Sequence, residues 1–413
     1  GKPMKRTLLS LALTMALLLS ACSAGVTALQ PGRAAPEVPA RRDAALDTAL
    51  GDFGLELLRQ TRTAGENTFV SPLSAALCLS MAANGAAGGT LAQFEAVLAG
   101  DGSLETLNAN CASLLSEYAA LEGGTTLSIA DGLWLDEGAQ VEDAFLSRCT
   151  GTYQAGAFAA DFSNPGTRKQ INAWIERNTG GHIQNALKEI DPATVLALAN
   201  AVYFEGKWAE EFDPDDTWEA RPFYPEGGGE ATVDLMSSGG REDRYIGTDA
   251  EQGVLLPYRD GRLAFLALMP SQGTPLGEYL DTLDGAALAG LITGAGTEYF
   301  TLRLPKFEMM WSGSLVGALQ AMGLTDAFDP DAADFAPMGR DAHGNPLYIS
   351  AVEHGAGIEV DEQGTRAFSF TFIGMSGAGA APPEELVFDR PFVYGIVDLE
   401  RGVPLFLGTF ETG

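Results

Sequence analysis

The chain is 413 residues long, with 46% apolar and 19% charged side chains, enough to fill one large folded domain or two smaller ones. Twenty-five Lys and Arg stand against 55 Asp and Glu, and the net charge of −30 repels phosphate backbones, which argues against a nucleic-acid partner. Fifty Gly and 21 Pro supply many turns but recur with no fixed period, which excludes a repeat fold.

Lys5 and Arg6 lie just ahead of an apolar run from Leu8 to Leu19, about a dozen residues and too short to span roughly 30 Å of hydrocarbon as a helix. It reads as an export signal. The run ends in Leu19-Ser20-Ala21-Cys22, which resembles the bacterial lipobox, where the signal is removed ahead of the Cys and the thiol is acylated; an ordinary cleavage site beside a chance Cys is the alternative. Removing residues 1–21 takes away Lys2, Lys5 and Arg6 and moves the charge from −30 to −33. The expectation is an exported lipoprotein at the cell surface or in the extracytoplasmic space, touching membrane only through the lipid anchor at Cys22. Residues 23–45, with Pro31, Pro36 and Pro39 among Ala and Gly, carry little large apolar surface and read, with Cys22, as a flexible tether over 22–45.

From there the chain alternates helical and strand-like stretches without a linker, so one domain over 46–413 is expected. Leu46, Leu50, Phe53 and Leu57 recur at helical spacing, and Pro72 to Ala83 is apolar on nearly every face, which predicts a central buried helix with Cys78 as a small hydrophobe. Whether Cys111 and Cys149 pair is left open, because separation in sequence decides nothing about geometry. Thr194 to Phe204 is continuously apolar except for Asn200, the pattern of a strand covered on both faces. Leu255 to Tyr258 and Leu263 to Met269 read as strands around the turn at Asp260-Gly261; Leu302 to Phe307, Leu347 to Glu353, Gly357 to Asp361 and Phe392 to Phe410 complete a strand-rich second half. The class is α+β, with helices mostly early and antiparallel strands mostly late.

Catalytic and metal motifs are scarce. With only His182, His343 and His354 and no Cys-x-x-Cys pair, neither zinc nor another cofactor is expected. Gly374-Met375-Ser376-Gly377-Ala378 has Ala where a nucleophile elbow needs its second Gly, no phosphate loop is present, and Asp213-Pro214-Asp215-Asp216 reads as a solvated acidic turn. The chain is not expected to be an enzyme. From Thr365, however, one parity holds Thr365, Ala367, Ser369 and Thr371 and the other Arg366, Phe368, Phe370 and Phe372, so an extended strand here has one uniformly small face. A small-residue segment, 374–383, follows, suited to an exposed loop open to proteases.

These motifs resemble the serpin family along almost the whole domain: Asn67-Thr68-Phe69-Val70-Ser71-Pro72-Leu73-Ser74; Asn172-Ala173-Trp174-Ile175 with Thr179 to Ile183; Leu198 to Trp208, then Phe212-Asp213-Pro214 and Thr217; Leu304-Pro305-Lys306-Phe307; Ile349-Ser350 through His354; Glu359 to Thr365; and Phe388-Asp389-Arg390-Pro391-Phe392 with Phe406-Leu407-Gly408. The resemblance implies a serpin-like fold with a large central, mostly antiparallel sheet, further smaller sheets, a helical N-terminal half and an exposed reactive loop at about 362–386. It implies a monomer acting as a suicide-type serine protease inhibitor: the target cuts the loop, forms a covalent acyl-enzyme, and is trapped as the loop inserts into the sheet. Ser71, Ser74, Asn200 and His354 match the polar cluster beneath the sheet opening, with satisfied core polar residues as the alternative. Glu362 and Lys306 match the ion pair at the top of the sheet beside Trp208, with a plain structural salt bridge that does not affect inhibition as the alternative. Glu362, Gly364, Thr365, Ala367, Ser369 and Thr371 match the hinge.

The departures are Arg366 where the family usually has Glu, Phe368 and Phe370 where it favours small residues, and Asp131 where it usually has Asn. The outward parity of the Phe pair bears on the speed of insertion more than on insertion itself. Counting forward from Gly364 puts the reactive bond at Ala378-Gly379, counting back from Phe388 puts it at Ala380-Ala381, and Met375-Ser376 leaves the inserted segment short. Small side chains there fit an elastase-like or subtilisin-like protease. A non-inhibitory binding protein on the same fold, or an inhibitor of a cysteine protease, remains the alternative.

Overall fold

A computed structural model describes residues 26–32, 37–178, 181, 184–185, 187–365 and 383–413, without the side chains of Asn200, Ala201 and Thr365. The first half runs β1 (Val26–Ala28), α1 (Ala44–Thr61), β2 (Thr68–Val70), α2 (Pro72–Ala83), α3 (Gly88–Ala99), α4 (Leu104–Ala119), β3 (Thr126–Asp136), β4 (Gln140–Val141), α5 (Asp143–Gly151), β5 (Gly156–Ala160) and α6 (Pro165–Asn178). Strands then dominate: β6 (Leu196–Lys207), β7 (Trp218–Phe223), β8 (Ala231–Ser237), β9 (Arg241–Gly247), β10 (Glu251–Pro257) and β11 (Leu263–Pro270). After α7 (Leu276–Thr282) and α8 (Gly285–Gly294) come β12 (Gly296–Ser314), α9 (Val316–Ala321), β13 (Gly339–Arg340), β14 (Ala351–Val360), β15 (Gly364–Thr365), β16 (Glu385–Val387), β17 (Phe392–Asp398) and β18 (Val403–Phe410).

α2 starts where the sequence says it should. The Ser71 side chain accepts the Ser74 backbone N–H, and Pro72 sits at the first helical position, where its missing N–H leaves no bond unmade. Every residue of α2 is buried, so the helix is surrounded by protein and forms the spine of the core. β12 holds the sheets together. Its residues Gly296 to Phe300 pair with β9, Thr301 to Lys306 with β16 and β8, and Phe307 to Ser314 with β14. The central sheet has the order β1-β5-β3-β6-β14-β12, and a second runs β12-β9-β10-β11-β17-β18-β2. The stretches expected as separate strands at 347–353 and 357–361 are one strand, β14. Gly355 and Gly357 do not interrupt it, because they lie opposite Ser312 and Met310 of β12, where a Cβ on Gly357 would collide with Met310 Sδ.

The N-terminal stretch also differs from the tether expected of its composition. Val26, Thr27 and Ala28 pair with Ala160, Ala159 and Phe158 on the edge of the central sheet, and the Leu29 N–H donates to Ala157 O at 2.8 Å. Main-chain pairing with an open sheet edge needs no large apolar side chain, so composition is blind to it. On the outer face of the sheet, α6 lays Ile171, Ile175 and Trp174 over Trp134, Ala197 and Ala199, with the two indoles edge-to-face at 5.1 Å.

Behind the second sheet lies a buried ion network that no sequence motif announces. The Arg401 side chain, fully buried, donates to Asp47 at 2.7 Å and to Glu117, while Arg262 pairs with Asp398 at 2.7 Å and Tyr118 donates to the same carboxylate at 3.0 Å. Removing one partner leaves the rest under-satisfied: in Arg401→Ala, Asp47 keeps Arg42 and Glu117 keeps Arg262, and the buried hydrogen bonds lost should lower the unfolding free energy in urea by about 1–3 kcal/mol.

Candidate functional site

The candidate site is the seam between β6 and β14. The two strands run parallel, and among the described residues they pair only over Ala197 to Val202 against Ala351 to Ala356. Beyond that the partners of Gly357 to Val360 lie on β12, and those of Tyr203 to Glu205 on β3. At the head of the gap the chain leaves β14 through a turn in which Asp361 and Gly364 exchange main-chain hydrogen bonds of 3.0 and 3.3 Å. β15 then returns antiparallel on the end of β6, Gly364 against Lys207 and Thr365 against Gly206. The first two residues of a strand antiparallel to both seam strands are therefore already in register. Only Gly fits position 364, since φ is +143° and a Cβ would stand 2.6 Å from Gly206 O.

Three residues singled out from the sequence meet at this head. The Glu362 carboxylate, 7% exposed, lies 2.7 Å from Lys306 Nζ and accepts the Thr217 hydroxyl at 2.8 Å. Burial pushes its carboxyl up, but the Lys306, backbone and Thr217 hydrogen bonds outweigh this and hold it below the usual range. Lys306 keeps 45% of its side chain in solvent, so the pair contributes about 1 kcal/mol at most. Trp208 stacks on Tyr258 at 5.0 Å, and its indole N–H donates to Asp361 O at 2.9 Å, which ties the turn to β6.

The second group lies lower on the seam, on the side facing α2. His354 of β14, in register with Asn200 of β6, accepts the Ser71 N–H on Nε2 at 3.0 Å. Ser71 Oγ donates to Leu405 O at 2.8 Å and accepts the Ser74 N–H. The imidazole thus fastens the seam to the start of α2 and, through it, to β18. Burial holds His354 down at about 4, so it is neutral and able to accept. Asp131, the Asp that stands where Asn is usual, lies on β3 opposite Asn200, 3% exposed, where the Cys78 thiol hydrogen-bonds to it; burial first, and then this carboxylate, push that thiol up.

Cys78, Cys111 and Cys149 are all free and buried, so the open question of a 111–149 disulfide resolves to no bond. Ala367, Ser369, Thr371, both candidate bonds (Ala378-Gly379 and Ala380-Ala381) and Cys22 lie outside the described residues, as do the side chains of Asn200 and Thr365. Sequence reasoning missed the Asp361 carbonyl and the Asp131–Cys78 contact. Neither carries a sequence signal, since one is main chain and the other joins a helix and a strand far apart in sequence.

The family model for serpins, described as serine protease inhibitors, matches residues 48–412. The chain belongs to the serpin family. A putative serpin-Z8 of Oryza sativa subsp. japonica is 34% identical over 384 residues, covering 83% of this chain and 90% of the relative, and alpha-1-antiproteinase S of Cavia porcellus is 30% identical over 359 residues, covering 85% of each. Among solved structures, the thermophilic serpin Tengpin in its native state superposes with a TM-score of 0.84 at 33% identity, over 93% of this chain and all of that one; its latent-state structure gives 0.78 at 32%, over 91% and 99%. Serpins are in general protease inhibitors that work by loop cleavage and insertion.

The His354 environment gives a pH test. Its folded value is about 4 and an unfolded imidazole titrates near 6.5, so acid protonates the unfolded chain first. The contribution is complete above about pH 6.5 and lost as pH falls to about 4, roughly 3 kcal/mol in all. Urea unfolding at pH 7.5, 5.5 and 4.5 should show a steeper acid loss for the wild-type serpin than for His354→Gln.

Proposed function

We propose that this serpin is a suicide inhibitor of serine proteases with a shallow primary pocket, elastase-like or subtilisin-like. The carrying observation is the pair of residues Gly364 and Thr365 on β6 at the head of the open seam. Continued without a bulge, that register sets Ala367 opposite Phe204, Ser369 opposite Val202 and Thr371 opposite Asn200. Opposite positions of an antiparallel pair share a face, and Phe204 and Val202 are buried against the core, so the small parity of the loop lands where added bulk would strain packing. In the reaction, the protease serine attacks the carbonyl of Ala378 or Ala380, the amine of Gly379 or Ala381 leaves, and the serpin stays as an ester on the protease. Insertion then competes with hydrolysis of that ester. Glu362, Trp208 and Lys306 are the contacts that the head of the seam rearranges, and Ser71, Ser74, Asn200 and His354 those its lower end rearranges.

Incubation with pancreatic elastase should give a protease-sized upward shift on a denaturing gel. Cleavage of the loop without a covalent band would instead favour a non-inhibitory binding protein. Ser369→Arg forces a charge to the core side of the seam at a cost of several kcal/mol, and should turn the inhibitor into a substrate, with about tenfold more serpin consumed per protease trapped. Arg366→Glu, on the opposite parity, should leave that ratio unchanged.

The lipobox-like Leu19-Ser20-Ala21-Cys22 supports an exported protein anchored by an acylated Cys22. Cys22→Ala should move the protein from the membrane fraction to the soluble one with inhibition intact, whereas a membrane-retained variant contradicts the anchor.

A further inference from the structure

On the face of the seam turned away from α2 lies a cavity of about 690 Å3. Its floor includes Ala199 of β6 and Ala351 and Glu353 of β14, and above them stand Ile171 of α6 with Leu187 and Ile190 of the stretch after it. The floor is low for a reason visible in the strand: Val352, His354 and Ala356 turn toward the core, while Ala351, Glu353 and Gly355 alternate with them on the outer face. Along the paired part of the seam, the register sets Ala199 beside Glu353 and Ala201 beside Gly355. Apart from Glu353, a strand laid between these positions meets only small residues on its outer side.

The occupant is in this chain. Counting on from Thr365 opposite Gly206, a strand antiparallel to β6 brings Phe370 opposite Ala201 and Phe372 opposite Ala199, both on the outer parity. We infer that, when the loop inserts, Phe372 enters the cavity between Ala199 and Glu353 beneath Ile171, Leu187 and Ile190, with Phe370 two residues before it in register with Ala201. This deepens the inhibitor reading and rests on it. A cavity of this volume admits a phenyl ring, and Ala199, Ile171, Leu187 and Ile190 offer it an apolar side across from the polar one formed by Glu353, Ser350 and Gln320. The aromatic parity, which on sequence alone looked like an obstacle to insertion, becomes a latch: the rings gain burial only as the strand passes down the seam.

The test compares melting of uncut and loop-cleaved protein for the wild type, Phe372→Ala and Phe372→Leu, all in the full chain. The uncut forms should melt together. After elastase cleavage the wild type should melt higher than before, Phe372→Ala about 3–6 °C below the cleaved wild type, and Phe372→Leu between them. Phe372→Ala should also raise the amount of serpin consumed per protease trapped, a change that loss of general stability in the uncut form would not give. Equal melting of the cleaved wild type and cleaved Phe372→Ala overturns the latch while leaving insertion standing. A cleaved wild type that gains nothing overturns insertion itself, and the latch with it.

Discussion

The structure depends on an unfinished pairing. Among the described residues, β6 and β14 share main-chain bonds only from Ala197 and Ala351 to Val202 and Ala356, and above that each has a described partner on one side. Because the two strands are parallel, a segment passing between them can be antiparallel to both, and antiparallel ladders are slightly the more stable per residue. The existing parallel contact would be given up for two new ladders. Under the proposed inhibitor reading that exchange runs downhill, with Thr365 opposite Gly206 as its first register position.

The polar contacts at the seam are arranged as fastenings of modest strength. Glu362 and Lys306 hold the head with a pair whose lysine is nearly half in solvent, and so is easily exchanged. His354 holds the lower end through the Ser71 N–H, in a buried setting where a lost partner is expensive, so this contact resists partial opening. The strong charged network around Arg401, Asp47, Glu117 and Asp398 lies elsewhere, joining α1, α4 and the β17–β18 turn. The frame thus carries a buried ion network, while the seam is closed by one partly exposed ion pair and one buried hydrogen bond.

Local pattern made some of this legible and hid the rest. α2 was readable because Pro72 to Ala83 is apolar on all sides after a capping Ser71, and β10 and β11 because their apolar runs flank Asp260-Gly261. β12 was read as six residues instead of 19, since a strand that changes partners twice changes its burial pattern with them. β14 reads from sequence as two strands because Gly355 and Gly357 look like breaks unless Ser312 and Met310 opposite them are known. The same holds at the site. Family resemblance places Glu362, Lys306 and Trp208, but the Asp361 carbonyl that receives the indole N–H is main chain, and the cavity over Ala199 is a product of β3, β6, α6, α9 and β14 together.

The central claim is that the open seam accepts an antiparallel strand. A synthetic peptide with the sequence of residues 365–378, added to the uncut chain, tests it without any protease. The account predicts one peptide bound per chain, a higher melting temperature and loss of protease trapping, because the seam is already filled. A peptide that leaves both melting and trapping unchanged would contradict it.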